Sequence, residues 1–214
     1  MDVISPDDRS ALDRTVSAIL RGGLVVLPTD TVYGLAIRPG DSSALARLLD
    51  AKARPRALNL PVLVASLDEV GCLGADLGET GRILAEKFWP GAMTLVLAFS
   101  PGARRPAWLE GRAEVAVRIP AHRFVTEVIA GTGPLLVTSA NIHGEPTPAG
   151  AGEAAACLRL GVDLVVDDGL LKGEASTLVN LRAEPAVIER LGALDPAQLS
   201  ALGISLAGPE PGTP

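Results

Sequence analysis

Apolar positions along the chain follow two rhythms. Leu12, Val16, Ile19 and Leu20 recur at three- and four-residue spacing, the period of a helix with one buried stripe. Ser5-Pro6-Asp7-Asp8 precedes them and reads as the helix start, with Ser5 as N-cap and Pro6 at the first helical position. Gly22-Gly23 closes the helix. Residues 24–27 then form an unbroken apolar run ending at Pro28, the pattern of a strand buried on both faces. A partner strand is expected over 33–37. A second helix is expected from an Asp41 cap through Leu45, Leu48 and Leu49. It runs out at 52–56, because Pro55 disfavours helical backbone at Arg54. Further strands are predicted over 60–65, 93–98, 114–120, 164–167, 174–180 and 186–190, with one more opening at Leu135. Helices are predicted over 66–70, 77–88, 122–130 and 151–160. The stretch 186–190 reads as the last strand. From Leu206 the chain is rich in Gly and Pro and is expected to be a disordered tail. The organisation predicted is one domain over 1–205 and a tail over 206–214. Strands outnumber helices without regular alternation. The fold class is therefore α/β, a twisted open mixed sheet with helices on its outside.

Apolar residues make up 48% of the 214, enough for a sizeable core. Aromatics are only 3%, so Leu, Val, Ala and Ile must fill it. The formal net charge of −6 argues against global steering to nucleic acid. The charge is uneven: residues 82–123 are predominantly basic and residues 145–214 predominantly acidic. A basic centre in an acidic chain suits a small anion better than a phosphate backbone. The opening Met1-Asp2-Val3-Ile4-Ser5-Pro6-Asp7-Asp8 is acidic rather than basic-then-apolar, so no secretory signal is expected. No apolar run reaches the length of a membrane span. A cytoplasmic protein is expected, with Cys72 and Cys157 as free thiols. Two histidines and two cysteines, scattered, do not suggest a zinc site.

Candidate chemistry collects where strands end. Thr29-Asp30-Thr31 follows the first strand, at the end where open α/β sheets bind ligands. Lys52 and Arg54 are two apart, and in an extended segment they would point the same way as a clamp. Lys suits a phosphate as a point charge, and Arg grips phosphate or carboxylate in two places. Complementing a helix C-terminus is the plainer role for both. Arg118 sits inside an apolar strand pattern. It either pairs with a carboxylate of the chain or awaits an anionic ligand. Thr138, Ser139 and Asn141 end the strand from Leu135 with hydroxyls and an amide. Ser176 and Thr177 head another. His122 is expected to be solvated, His143 to lie in a loop without a catalytic role, and Trp108 to be a packing residue. No nucleophile elbow, Walker loop or dinucleotide fingerprint appears.

Pro-Thr-Asp-Thr-Val-Tyr-Gly-Leu at 28–35, Lys-x-Arg-Pro at 52–55, Ser-x-Asn at 139–141 and Ser-Thr at 176–177 together resemble the YrdC domain family, the L-threonylcarbamoyladenylate synthases. The likeness spans about residues 10–192 in order. The Lys-x-Arg and Ser-x-Asn pair is its specific part. The resemblance implies a YrdC-like sheet with a concave basic cleft. It implies an enzyme that makes threonylcarbamoyl-AMP and pyrophosphate from ATP, L-threonine and bicarbonate, with Mg²⁺ accompanying the ATP. It also implies transfer of the product to tRNA by a partner threonylcarbamoyl transferase machinery. Lys52 and Arg54 would hold the ATP phosphates, with Ser139, Asn141, Arg190 and Thr94 also on the nucleotide. Thr31, Arg118 and Ser176 would surround the threonine. Three departures stand out. Ala36 replaces a common Gly, and Asn59 a common Pro, which puts the order of the 56–61 loop in question. The chain also stops short of the C-terminal domain of longer members. Two other readings stay open. One is an RNA-binding module, which the net acidity and few aromatics oppose. The other is a carbamoyl-transfer domain, which usually comes with segments not seen in this sequence.

Overall fold

The computed structural model describes residues 2–55, 60–171, 173–203 and 206–208. The first strand, β1 (Asp2–Ile4), precedes α1 (Ala11–Leu20). The predicted cap at Ser5 is therefore corrected. Ser5 to Asp8 forms a closed turn, in which the Ser5 amide donates to the Asp8 carboxylate at 3.0 Å, and the helix begins six residues later. An Asx-type bond competes with helix initiation in this way. Next come β2 (Val25–Leu27), β3 (Gly34–Ile37) and α2 (Ser42–Lys52), whose first turn is capped by the Asp41 carboxylate accepting from the Ala44 amide at 2.9 Å. The middle of the chain forms β4 (Val62–Leu63), α3 (Leu67–Cys72), β5 (Ala75–Asp76), α4 (Gly78–Phe88), β6 (Met93–Phe99) and β7 (Val115–Arg118). Then follow α5 (Arg123–Thr132), β8 (Leu135–Ser139), α6 (Ala151–Ala156), β9 (Leu164–Val166), β10 (Thr177–Asn180) and β11 (Ala186–Arg190). The chain closes with α7 (Pro196–Ser200) and β12 (Leu206–Ala207).

The last strand is thus not β11. β12 pairs with it in parallel, Ala186 opposite Leu206 and Val187 opposite Ala207. The tail expected to be disordered from Leu206 begins as an edge strand, and residues 209–214 lie outside the described residues. The two-residue strands β5 and β12 are too short for their periodicity to be read from sequence.

The strands join in the order β1-β9-β2-β3-β8-β4-β7-β6-β10-β11-β12, with β5 on β6. Parallel and antiparallel neighbours are mixed, as the irregular alternation of elements predicts. Side chains alternate across the sheet. On one face Leu24, Val26, Leu35 and Ile37 pack against α2, α4 and α6. On the other, Val25, Leu27, Ala36 and Val137 pack against α1 and α5. Those two helices cover β1, β9, β2, β3 and β8. Among the described residues the same face of β7, β6, β10 and β11 has no helix over it in either buried cluster, and a cleft opens there.

Candidate functional site

The first polar turn is built locally. The Thr29 hydroxyl accepts from the amides of Thr31 and Val32, both at 3.2 Å, and donates to the Val32 carbonyl at 2.6 Å. This turn joins the antiparallel pair β2–β3, where Leu27 faces Gly34. Gly34 in turn faces Ser139 across β3–β8. Register therefore delivers Thr31 and Ser139 to one edge of the cleft. Gly34 must be glycine for this close packing, because a Cβ there would come within 2.6 Å of a Val137 methyl.

Arg118 ends β7 and is held on three sides. Its guanidinium donates to the Asp30 carboxylate at 2.6 Å, the Thr31 hydroxyl at 2.9 Å and the Gly91 carbonyl at 2.9 Å. Of the two readings open for this residue, pairing with the chain's own carboxylate is present. The group still lines the cleft. Burial lowers its pKa, and Asp30 opposes that effect. Asp30 is the contact the sequence reading did not single out. The signal was available: a buried Arg requires a carboxylate, and Asp30 lies between two candidate threonines.

Ser176 precedes β10, which pairs with β6 in parallel. This brings the Ser176 hydroxyl 2.8 Å from that of Thr94. Arg190, at the end of β11, donates to the Ser176 carbonyl at 2.8 Å and to its hydroxyl at 3.3 Å. Gly192 supports the same turn. A Cβ at Gly192 would lie 2.0 Å from the Ala175 carbonyl oxygen, so only glycine lets the two backbones approach. Nothing in the sequence marks that glycine.

The expected Lys-x-Arg clamp takes a different form. Lys52 is the last helical residue of α2, and Ala53 is left-handed at φ 50 and ψ 37. The Arg54 amide donates to the Leu49 carbonyl at 2.9 Å and the Ala53 amide to that of Asp50 at 3.2 Å. That is the Schellman pattern of a helix end. The segment is not extended, so the two cations diverge. Arg54 lines the cleft. Lys52 turns under the wall, where its ammonium donates to the Ser139 carbonyl (2.5 Å), the Asn141 carbonyl (2.6 Å) and the Asn141 side-chain oxygen (2.9 Å). It is 1% exposed. Burial, then the Arg54 charge, pushes its pKa down to about 8. Asn141 also accepts from the Ser139 hydroxyl at 2.5 Å.

The cleft encloses about 420 Å³ and gathers Thr31, Arg54, Thr94, Arg118, Ser139, Ser176 and Arg190. Lys52 and Asn141 stand behind its wall. The charge of Arg190 disfavours the charged forms of both Arg54 and Arg118. Arg190 beside Arg54 on a concave surface favours an anion there, while Arg118 adds a charge that Asp30 already balances in part. A larger groove of about 670 Å³ lies between α1, α2 and β9. Its Arg14 and Arg47 pair with Asp2 and Asp163, which leaves those charges already matched.

Trp108 packs against the core, as expected. His122 is not solvated: its side chain is 15% exposed and its Nε2 lies 3.2 Å from the Asp168 carboxylate. The turn after β9 brings that carboxylate over the start of α5, a contact between residues far apart in sequence. The 56–61 loop, with Asn59, falls largely outside the described residues.

The chain is an α/β protein whose mixed sheet carries a cationic, hydroxyl-lined cleft. The chain belongs to the Sua5/YciO/YrdC family, whose model, described as "Telomere recombination", matches residues 17–192. A Mycobacterium tuberculosis relative is 37% identical over 211 residues, 96% of each chain. The threonylcarbamoyl-AMP synthase of Xanthomonas euvesicatoria is 37% identical over 166 residues, covering 75% of this chain and 87% of that one. The crystal structure of Pyrococcus abyssi Sua5 complexed with L-threonine superposes with a TM-score of 0.84 at 32% identity, over 96% of this chain and 62% of that one. The chain is a homologue of nucleotidyltransferases that make threonylcarbamoyl-AMP.

Proposed function

We propose that this protein makes threonylcarbamoyl-AMP and pyrophosphate from ATP, L-threonine and bicarbonate, in one catalytic domain formed by the whole sheet. The observation that carries the reading is the trio Arg54, Arg118 and Arg190 lining one cleft with the hydroxyls of Thr31, Thr94, Ser139 and Ser176. In the proposed reaction the threonine amine condenses with bicarbonate: the carbamate C–N bond forms, a C–O bond of bicarbonate breaks, and water leaves. A carbamate oxygen then attacks the α-phosphorus of ATP, the bond to the β-phosphate oxygen breaks, and pyrophosphate leaves. Such phosphoryl chemistry needs positioning and charge neutralisation rather than a protein nucleophile.

Arg54 and Arg190 hold the phosphates in this proposal, with Thr94 and Ser139 on the nucleotide. Thr31, Arg118 and Ser176 surround the threonine. That the Pyrococcus abyssi relative was crystallised with L-threonine supports this half. Mg²⁺ enters with the ATP phosphates rather than in a protein cage. Among the described residues no group of three His, Cys, Asp or Glu side chains could hold it. The carboxylates that line the cleft, Glu114 and Glu189, are bonded to Arg182 and Asn180, and Asp30, between the lining residues Thr29 and Thr31, is bonded to Arg118. Among the described residues no helix is long and apolar enough to cross a membrane. That is compatible with a cytoplasmic enzyme passing its labile product to the machinery that modifies tRNA.

The test is pyrophosphate release from ATP, with L-threonine and bicarbonate each left out in turn. Release that requires both, with the mass of threonylcarbamoyl-AMP among the products, is the expected result. Folded protein that releases none under any condition overturns the reading, and RNA binding then becomes the function to test.

A further inference from the structure

The spacing of Lys52 and Arg54 suggests a pair of cations acting together, but the backbone between them separates their tasks. Ala53 is left-handed, and this turns Lys52 away from the cleft that Arg54 lines. An ammonium has three N–H donors. All three of Lys52 are engaged, on Ser139 O, Asn141 O and Asn141 Oδ1. Two of those acceptors are main-chain carbonyls, one of the last residue of β8 and one in the turn that follows it. The third, Asn141 Oδ1, receives the Ser139 hydroxyl. The Lys52 carbonyl closes the circuit by accepting from the His143 amide at 2.9 Å. A cation so placed has no donor left for a phosphate.

We infer that Lys52 is a positioning residue. It ties the carbonyls of the 139–141 turn together, and through Asn141 it fixes the direction of the Ser139 hydroxyl on the cleft wall. Of the Lys-x-Arg motif, Arg54 alone meets the ligand. The inference rests on the reading that the cleft holds ATP. It also makes a claim about the ligand-free protein, which can be tested separately.

Two measurements on the full chain test it. The first is amide hydrogen exchange without nucleotide, comparing wild type, Lys52→Met and Arg54→Ala. Lys52→Met is expected to speed exchange at Ala140 to His143 by roughly tenfold or more, the loss of about one charge-assisted hydrogen bond, while Arg54→Ala leaves that segment as in wild type. Unchanged exchange in Lys52→Met overturns the inference. The second is the dissociation constant for ATP and for AMP. A residue that touches the outer phosphates loses ATP selectively. Arg54→Ala is expected to weaken ATP by roughly tenfold more than AMP, and Lys52→Met to weaken both by the same factor. An ATP-selective loss in Lys52→Met overturns the inference. Wild type that binds neither nucleotide overturns the ATP reading alone, and the exchange measurement then decides the role of Lys52. If Lys52→Met does not fold, Lys52→Gln replaces it in both measurements with the same two outcomes.

Discussion

The Arg118 guanidinium and the Asp30 carboxylate meet at 2.6 Å, with side chains only 7% and 15% exposed. They come from β7 and from the turn after β2, 88 residues apart. This pair anchors the polar turn to the sheet and aims Thr31, whose hydroxyl accepts from the same guanidinium. Removing the carboxylate leaves a buried charge without its partner. Asp30→Ala is expected to lower the unfolding free energy by about 3 kcal/mol, measured by urea denaturation. A loss below about 0.5 kcal/mol, the range of a surface change, would show that Arg118 is neutralised elsewhere.

Gly192 packs its backbone on the Ala175–Ser176 turn. Gly192→Ala places a methyl group 2.7 Å from the Ser176 carbonyl carbon, so the turn must move. A cost of about 1–3 kcal/mol is expected, together with weaker L-threonine binding, because Ser176 moves with the turn. Gly152→Ala is the control: its methyl would meet nothing within 4 Å, and helix propensity favours it by about 0.5–1 kcal/mol. Calorimetric melting of both variants checks this. Equal melting temperatures would refute the close-packing argument.

Ala53 holds the left-handed position where glycine is usual. Ala53→Gly is expected to stabilise the protein by about 0.5–1 kcal/mol, the strain relieved exceeding the added freedom of the unfolded chain. Ala53→Val is expected to destabilise it and to disturb Lys52 and Arg54 together. The midpoints of urea unfolding report the order. Valine equal to alanine would mean that the left-handed turn is not maintained in solution.

Lys52 titrates at about 8 in the fold, against 10.5 for the ordinary side chain. Between those values the unfolded chain keeps a proton that the folded chain has lost. This group therefore makes stability rise with pH from about 8 to 10.5. Activity runs the opposite way, because neutral Lys52 has two donors for three oxygens. Above pH 8 a fall in kcat/KM is expected alongside that gain in stability, and both are expected to be absent in Lys52→Met. A fall that persists unchanged in the variant would assign it to another group.

Local pattern carried much of the fold. The unbroken apolar run at 24–27 gave β2, the period of three and four gave α1 and α2, and Asp41 capped as its residue type predicts. It failed where residues distant in sequence decide. Ser5 looked like a helix cap, yet Asp8 closes a turn on it. Leu206–Ala207 is ordered because the edge of β11 is there to pair with it. His122 is covered by an aspartate 46 positions away.

The sequence by itself determined the chemistry of the site: three arginines and a set of hydroxyls at strand ends, in an order that marks the family. Side-chain type and local spacing are enough for that. The tertiary structure decided which of those groups share a surface and what each one faces. Register sets Gly34 against Ser139, parallel pairing brings Thr94 to Ser176, and a single left-handed residue sends Lys52 and Arg54 in different directions. Backbone pairing between distant strands and one torsion angle set those relations, and neither is written in the spacing of residues along the chain.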